Sequence, residues 1–193
     1  MCASARRPKG IMRTSKGLRR RDYPILEFDP TKKAVIEPKK VLKSLDVPEH
    51  CVICFFHDVM AELSNSGGVK KVARITGEHG LIFLNEMDVD GKRLAFIHPG
   101  IGAPLAGGIL EEVIARGCRK FIACGGAGVL DRSVAYGRIM VPKSAVRDEG
   151  TSYHYLPPSR EVEASPSGIR AIERTMKKRK VPYLLSKTWT TDA

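Results

Sequence analysis

The sequence predicts an α/β fold built around a largely parallel sheet. Three observations between residues 93 and 128 predict it: two short apolar runs, a glycine turn directly after each run, and an amphipathic helix between them. Strand, helix and second parallel strand form a right-handed βαβ unit, with both turns at the carboxyl ends of neighbouring strands. Open α/β sheets bind their ligands at that edge, so the two glycine turns are the first candidates for a functional site.

The first strand of this unit is Arg93–His98, a mostly apolar run of the kind that is buried on both faces. Gly100 and Gly102 follow and let the backbone turn tightly beside a ligand, because glycine has no Cβ atom. Pro104 suits the first turn of a helix. The apolar positions that follow recur at helical spacing and predict a helix that ends at Gly117: Leu105, Ile109, Val113 and Ile114.

The second strand, Phe121–Cys124, runs directly into Gly125, Gly126, Ala127 and Gly128. Small residues at a strand end expose backbone N–H groups in a concave loop that can accept an anion such as phosphate. A tight turn or close backbone packing explains the same residues equally well. The first loop lacks the third glycine of a dinucleotide-binding fingerprint, and the chain has no P-loop.

Four motifs follow one another along the chain: GIGAP, CGGAGVL, YGRIMVPKSAVRDEGTSYHY and KTWTTDA. Their order resembles the nucleoside phosphorylase family, which includes uridine phosphorylase and the purine nucleoside phosphorylases, and the resemblance covers Met87 to Ala193. It implies a three-layer fold with a mixed, largely parallel central sheet flanked by helices. It also implies reversible phosphorolysis of a purine or pyrimidine nucleoside to free base and ribose-1-phosphate, with inorganic phosphate as co-substrate and no further cofactor or metal.

The resemblance also implies site residues. Gly125 and Gly126 would offer backbone donors to phosphate, while Ala127 and Gly128 would line the nucleoside side. The family carries a Gly-Asp-Pro-x-Arg loop whose glycine and arginine hold phosphate; its nearest match here spans residues 28–32, where Lys32 offers a point charge in place of the arginine fork. No residue is assigned a catalytic role.

Two positions depart from the family pattern. Family members commonly place an arginine two residues before the glycine of the second loop and a threonine just after that glycine; here those positions are Ala123 and Gly126. Each charge-assisted hydrogen bond lost in this way is typically worth ~1.5 to 3 kcal/mol. A related branch, the hydrolytic nucleosidases, lacks that arginine and uses water, so hydrolysis is an alternative to phosphorolysis.

The expected domain covers residues 22–193 and is incomplete at its C-terminus. In the family, segments farther along the chain stack on the base and grip the ribose hydroxyls, and none of the 193 residues matches them. A non-catalytic truncated homologue is therefore a further alternative. The resemblance also implies a homo-oligomer that is built from dimers, up to a hexamer.

The composition, 42% hydrophobic and 28% charged, is typical of a globular protein, and no apolar run approaches the ~20 residues that span a bilayer. The odd number of cysteines, five, suits a reducing cytoplasm, so we expect a cytoplasmic protein. The family resemblance implies a role in nucleotide salvage. Cys51 and Cys54 lie in an apolar run without a second pair of zinc ligands, which predicts a buried strand.

Much of the net charge of +12 comes from residues 1–21, which we expect to form a disordered basic tail. Nucleic acid is not an expected partner, because the basic residues are not interleaved with aromatic ones and no nucleic-acid-binding motif follows.

Four further segments of the sequence have predicted structures or roles. Leu81–Leu84 is expected to form an edge strand, and residues 167–179 a helix. His57 and Asp58 are either a catalytic pair or, more in keeping with their place after an apolar run, a strand end with Asp58 capping the next helix. Arg147 and Asp148 are expected to form a structural ion pair that shapes the wall of the site.

Overall fold

The structure is a computed structural model that describes residues 20–134 and 137–192. Its strands are β1 His50–Cys54, β2 Lys70–Gly77, β3 Gly80–Val89, β4 Lys92–Ile97, β5 Lys120–Cys124, β6 Ile139–Asp148, β7 Glu161–Glu163 and β8 Tyr183–Thr191. Its helices are α1 Pro38–Val41, α2 His57–Asn65, α3 Ala103–Arg116 and α4 Pro166–Arg179, with short 3-10 helices at Pro24–Leu26 and Thr151–His154. The predicted basic tail lies almost entirely outside the described residues.

The strands form two mixed sheets, one of order β2-β3-β4-β1-β5 and one of order β7-β6-β8. In the larger sheet β1 runs parallel to β4 and β5, while β3 runs antiparallel to β2 and β4. In the smaller sheet β6 runs parallel to β8 and antiparallel to β7. The predicted α/β class with a mixed sheet is confirmed.

The strand order corrects two expectations. β4 and β5 are parallel but not neighbours, because β1 lies between them and pairs Ile53 with Ile97 on one side and with Ala123 on the other. The predicted edge strand Leu81–Leu84 belongs to β3, which is paired on both sides. Three parallel strand ends therefore lie side by side at the carboxyl edge, where two were predicted.

The core has two parts, one on each face of the larger sheet. Cys51 and Ile53 of β1 pack in a buried cluster with Ile109 and Val113 of α3. On the opposite face Cys54 of β1 packs with Met60 of α2 and Phe96 of β4. Each fully buried aliphatic side chain typically contributes about 1.5–3 kcal/mol. Helix, sheet and helix thus form three layers, with β1 buried on both faces.

The locally predicted helices are confirmed. α3 begins one residue before Pro104 and ends at Gly117, whose φ of 141° is accessible mainly to glycine. α4, expected over residues 167–179, begins one residue earlier at Pro166 and ends at Arg179. Among residues 20–134 and 137–192, no helix combines the length and the apolar character that crossing a membrane requires.

Candidate functional site

The carboxyl edge of the larger sheet gathers three loops. The loop after β4 contains His98 and Gly100, the loop after β1 contains Phe55 and Phe56, and Gly125 begins the loop after β5. The last two loops are joined directly, because the Phe55 N–H donates to the carbonyl of Cys124, the last residue of β5, at 2.9 Å. This edge is where open α/β sheets bind their ligands.

The glycine loop after β5 packs on one side and is open on the other. A Cβ atom on Gly125 would lie 3.2 Å from Phe55 Cβ, and one on Gly126 would lie 3.8 Å from Phe56 Cε1. All four residues from Gly125 to Gly128 are exposed. Within the described part of the chain, their N–H groups donate a hydrogen bond to no protein acceptor. Those backbone donors are therefore available to a ligand.

The glycine turn after β4 has a structural role. Gly100 has a φ of 79°, and a Cβ atom there would lie 2.1 Å from Leu105 Cδ2 of α3. Its N–H donates to His98 Nδ1 at 3.1 Å. Close packing therefore requires glycine at this position, and its backbone donor is already used inside the protein.

His57 and His98 meet at the same edge. Their ring centroids are 6.0 Å apart and the rings are inclined by 80°. α2 begins at His57 with Phe56 as its N-cap, and the Asp58 side chain makes no capping hydrogen bond, so the predicted Asp58 cap is wrong. The sequence analysis missed this pair because it treated β4 and β5 as neighbours. The signal was present in His57, which directly follows an apolar run.

Residues 49–193 match the model of the phosphorylase superfamily. The chain belongs to that superfamily. Among its relatives, a guanosine phosphorylase of Halorubrum lacusprofundi is 29% identical over 105 residues, which cover 51% of this chain and 44% of that enzyme. A uridine phosphorylase of Salmonella typhimurium is 31% identical over 70 residues, which cover 36% of this chain and 28% of that enzyme. The chain thus spans less than half the length of these curated relatives.

Two solved structures share the fold. Uridine phosphorylase from Vibrio fischeri superposes with a TM-score of 0.66 at 23% identity, over 77% of this chain and 61% of that one. Purine nucleoside phosphorylase from Toxoplasma gondii, in complex with immucillin-H, superposes with a TM-score of 0.67 at 21% identity, over 77% and 59%. The predicted nucleoside phosphorylase-like fold is confirmed.

The sequence-predicted site residues of this superfamily member come from two separate segments of the chain. Gly125, Gly126, Ala127 and Gly128 form one exposed loop inside the matched region. Lys32 lies before that region, in exposed chain between Leu26 and α1. Among the described residues, no hydrogen bond or ion pair joins Lys32 to the glycine loop. Phosphate binding by Lys32 stays a prediction.

A concave region lies at the carboxyl ends of β6 and β8. It is an open groove of about 640 Å³ lined by Leu26, Val146, Arg147, Asp148, Tyr153, Pro158, Ser159, Arg160 and Trp189. Its lining includes none of the glycine-loop residues. The predicted site residues are those of the glycine loop and Lys32, and the sequence singled out only Arg147 and Asp148 among the residues that line this groove.

The expected ion pair between Arg147 and Asp148 is wrong, because successive side chains of a strand point to opposite faces. The buried Arg147 guanidinium donates to the Ser152 and Ser159 hydroxyls and to two backbone carbonyls of the following loop. Asp148 instead accepts a hydrogen bond from Trp189 Nε1 at 2.9 Å. Arg147 therefore holds the loop that forms one wall of the groove.

The segment after β6 is also tied to the larger sheet. Tyr155 Oη donates to Glu111 Oε1 of α3 at 2.6 Å. Burial, together with this hydrogen bond, raises the pKa of Tyr155 to about 12, so the phenol keeps its proton at neutral pH. The motif that resembles the family after β6 is thus anchored on the helix that follows the first glycine turn.

Proposed function

We propose that this chain acts in the reversible phosphorolysis of a nucleoside to its free base and ribose-1-phosphate. The observation that carries the proposal is the exposed loop from Gly125 to Gly128, whose N–H groups have no acceptor among the described residues. Membership of the phosphorylase superfamily supports it, as do the named activities of the guanosine and uridine phosphorylases that the chain is similar to.

The loop suits the chemistry of this reaction. Phosphate attacks the anomeric carbon of the sugar while the glycosidic C–N bond breaks and the base leaves with the bonding electrons. Gly125 and Gly126 donate backbone N–H groups to the phosphate, and Ala127 and Gly128 line the nucleoside side. Donors that are already oriented before the reaction hold the nucleophile under the sugar without reorganisation, which lowers the barrier.

The assay that tests this proposal measures two products from the same reaction. The chain is incubated with uridine or guanosine, with and without inorganic phosphate, and free base and ribose-1-phosphate are quantified. Phosphorolysis predicts base release that depends on phosphate and equals the ribose-1-phosphate formed. Free ribose, released at the same rate without phosphate, would contradict it.

A variant of the loop links the activity to this site. Gly126→Asp places a carboxylate where the phosphate is proposed to bind, and the nearest side-chain atom to its Cβ, at 3.8 Å, leaves room for it. Repulsion between like charges is expected to lower activity at least tenfold at limiting phosphate. Gly67→Asp is the matched control, because its Cβ would lie in open space in the loop before β2.

Hydrolysis is the second candidate, and Ala123 and Gly126 favour it. Neither side chain carries a charge or a hydroxyl group, so no side chain of the loop itself neutralises a phosphate. A folded chain that cleaves no nucleoside would instead favour a non-catalytic homologue. The proposal further includes assembly as a dimer-based homo-oligomer in the cytoplasm, which sedimentation analysis and fractionation would test.

A further inference from the structure

Two imidazoles lie at the sheet edge that carries the proposed phosphate loop. His98 directly follows β4 and His57 begins α2 after β1, and their ring centroids are 6.0 Å apart. Phe56, the residue before His57, has its ring edge 3.8 Å from the position of a Cβ on Gly126. Since β1 lies between β4 and β5, the strand ends present His98, His57 and the glycine loop in that order.

The contacts of His98 orient its ring. The Gly100 N–H donates to His98 Nδ1 at 3.1 Å, so a neutral imidazole carries its proton on Nε2. Within residues 20–134 and 137–192, no protein group bonds His98 Nε2 or either ring nitrogen of His57. His98 is half-buried and His57 is exposed. Two ring donors therefore remain without protein partners at the ligand edge of the sheet.

A phosphate on the glycine loop has more oxygen acceptors than the N–H groups of Gly125 and Gly126 can satisfy, and Ala123 offers no side-chain donor. Hydrogen bonds to an ionised phosphate oxygen are charge-assisted and about twice as strong as neutral ones. We propose that His57 and His98 supply the side-chain hydrogen bonds that hold phosphate against Gly125 and Gly126. This inference rests on the phosphate site of the proposed function.

Isothermal titration of the 193-residue chain with inorganic phosphate tests the inference directly. His98→Asn keeps an acceptor for the Gly100 N–H at the position of Nδ1 but removes Nε2, and His57→Asn shortens the exposed side chain. Each change is expected to weaken phosphate binding about tenfold, the loss of one charge-assisted hydrogen bond, and the double variant more than either. His50→Asn is the matched control, because His50 is exposed at the opposite end of β1.

Thermal unfolding of each variant establishes whether it is folded. If His98→Asn does not fold, the phosphate affinity of the His57→Asn variant tests the inference, because His57 is exposed. Weaker binding by both histidine variants, with the His50 control unchanged, supports the inference. Unchanged binding by the double variant overturns it, and so does the absence of phosphate binding by the unsubstituted chain. His98→Gln, which places an amide near the Nε2 position, is expected to recover part of the affinity.

The nucleoside assay separates this inference from the proposed function. Phosphate-dependent cleavage with an unchanged KM for phosphate in the double variant would overturn the histidine roles and leave phosphorolysis standing. Histidine-dependent phosphate binding without any nucleoside cleavage would leave the anion site standing and overturn phosphorolysis.

Discussion

Replacing Arg147 by methionine is expected to lower the free energy of unfolding by about 3 kcal/mol. Arg147 is 6% exposed, and its guanidinium donates to the Ser152 and Ser159 hydroxyls and to the carbonyls of Leu156 and Pro157, at 2.8 to 3.2 Å. The hydroxyls can rotate toward other partners, whereas the two carbonyls lose their donor. Each unpaired carbonyl costs roughly 1–3 kcal/mol, and partial hydration of this surface loop lowers the sum.

Urea unfolding followed by tryptophan fluorescence measures this effect. Trp189 is the only tryptophan of the chain and lines the same groove as Arg147, so its emission reports the local packing as well as global unfolding. Arg160→Met is the control, because Arg160 is exposed and its side chain makes no hydrogen bond with a described residue; a change within about 0.5 kcal/mol is expected. Equal urea midpoints for the two variants would refute the reasoning.

Two further predictions concern the larger sheet. Gly100→Ala is expected to lower the free energy of unfolding by about 3 kcal/mol, because alanine is strained at a φ of 79° and its methyl group would collide with Leu105. Gly150→Ala is the control, because the new Cβ would lie in open space at a φ of −84°, and it should unfold like the unsubstituted chain. Equal losses of unfolding free energy in the two variants would contradict this prediction. Arg93 hydrogen-bonds Glu86 and holds the pKa of that carboxyl below its ordinary value. The stabilisation that the Arg93–Glu86 pair provides is therefore complete above the ordinary glutamate pKa of ~4.3. It is lost as the pH falls through the lower pKa that Glu86 has in the folded protein. Melting temperatures of Glu86→Gln should depend less on pH in that acidic window, and an unchanged pH dependence would exclude this role.

Local patterns predicted α3, α4 and the strands β1, β4 and β5. The helical spacing of Ile109 and Val113, bounded by Pro104 and Gly117, describes α3 closely because helix contacts are made within a few residues. The C-x-x-C run was identified as a buried strand from its apolar neighbours alone, and the structure buries Cys51 and Cys54 on opposite faces.

The arrangement of the strands could not be predicted in the same way. Placing β1 between β4 and β5 requires pairing of Ile53 with Ile97 and Ala123, residues that are far apart in the sequence. The proximity of His57 and His98 follows from that pairing, so the sequence analysis treated them separately. Lys32 was chosen from a five-residue match, and such a match carries no information on distance from Gly125.

The proposed function and the histidine roles both require that an anion binds at the glycine loop after β5. Titration of the ¹⁵N-labelled chain with inorganic phosphate, followed by amide chemical shifts, tests it most directly. The largest saturable shifts are expected at Gly125 and Gly126. Shifts confined to Lys32, or to the groove around Trp189, with both glycine amides unmoved at saturating phosphate, would contradict it.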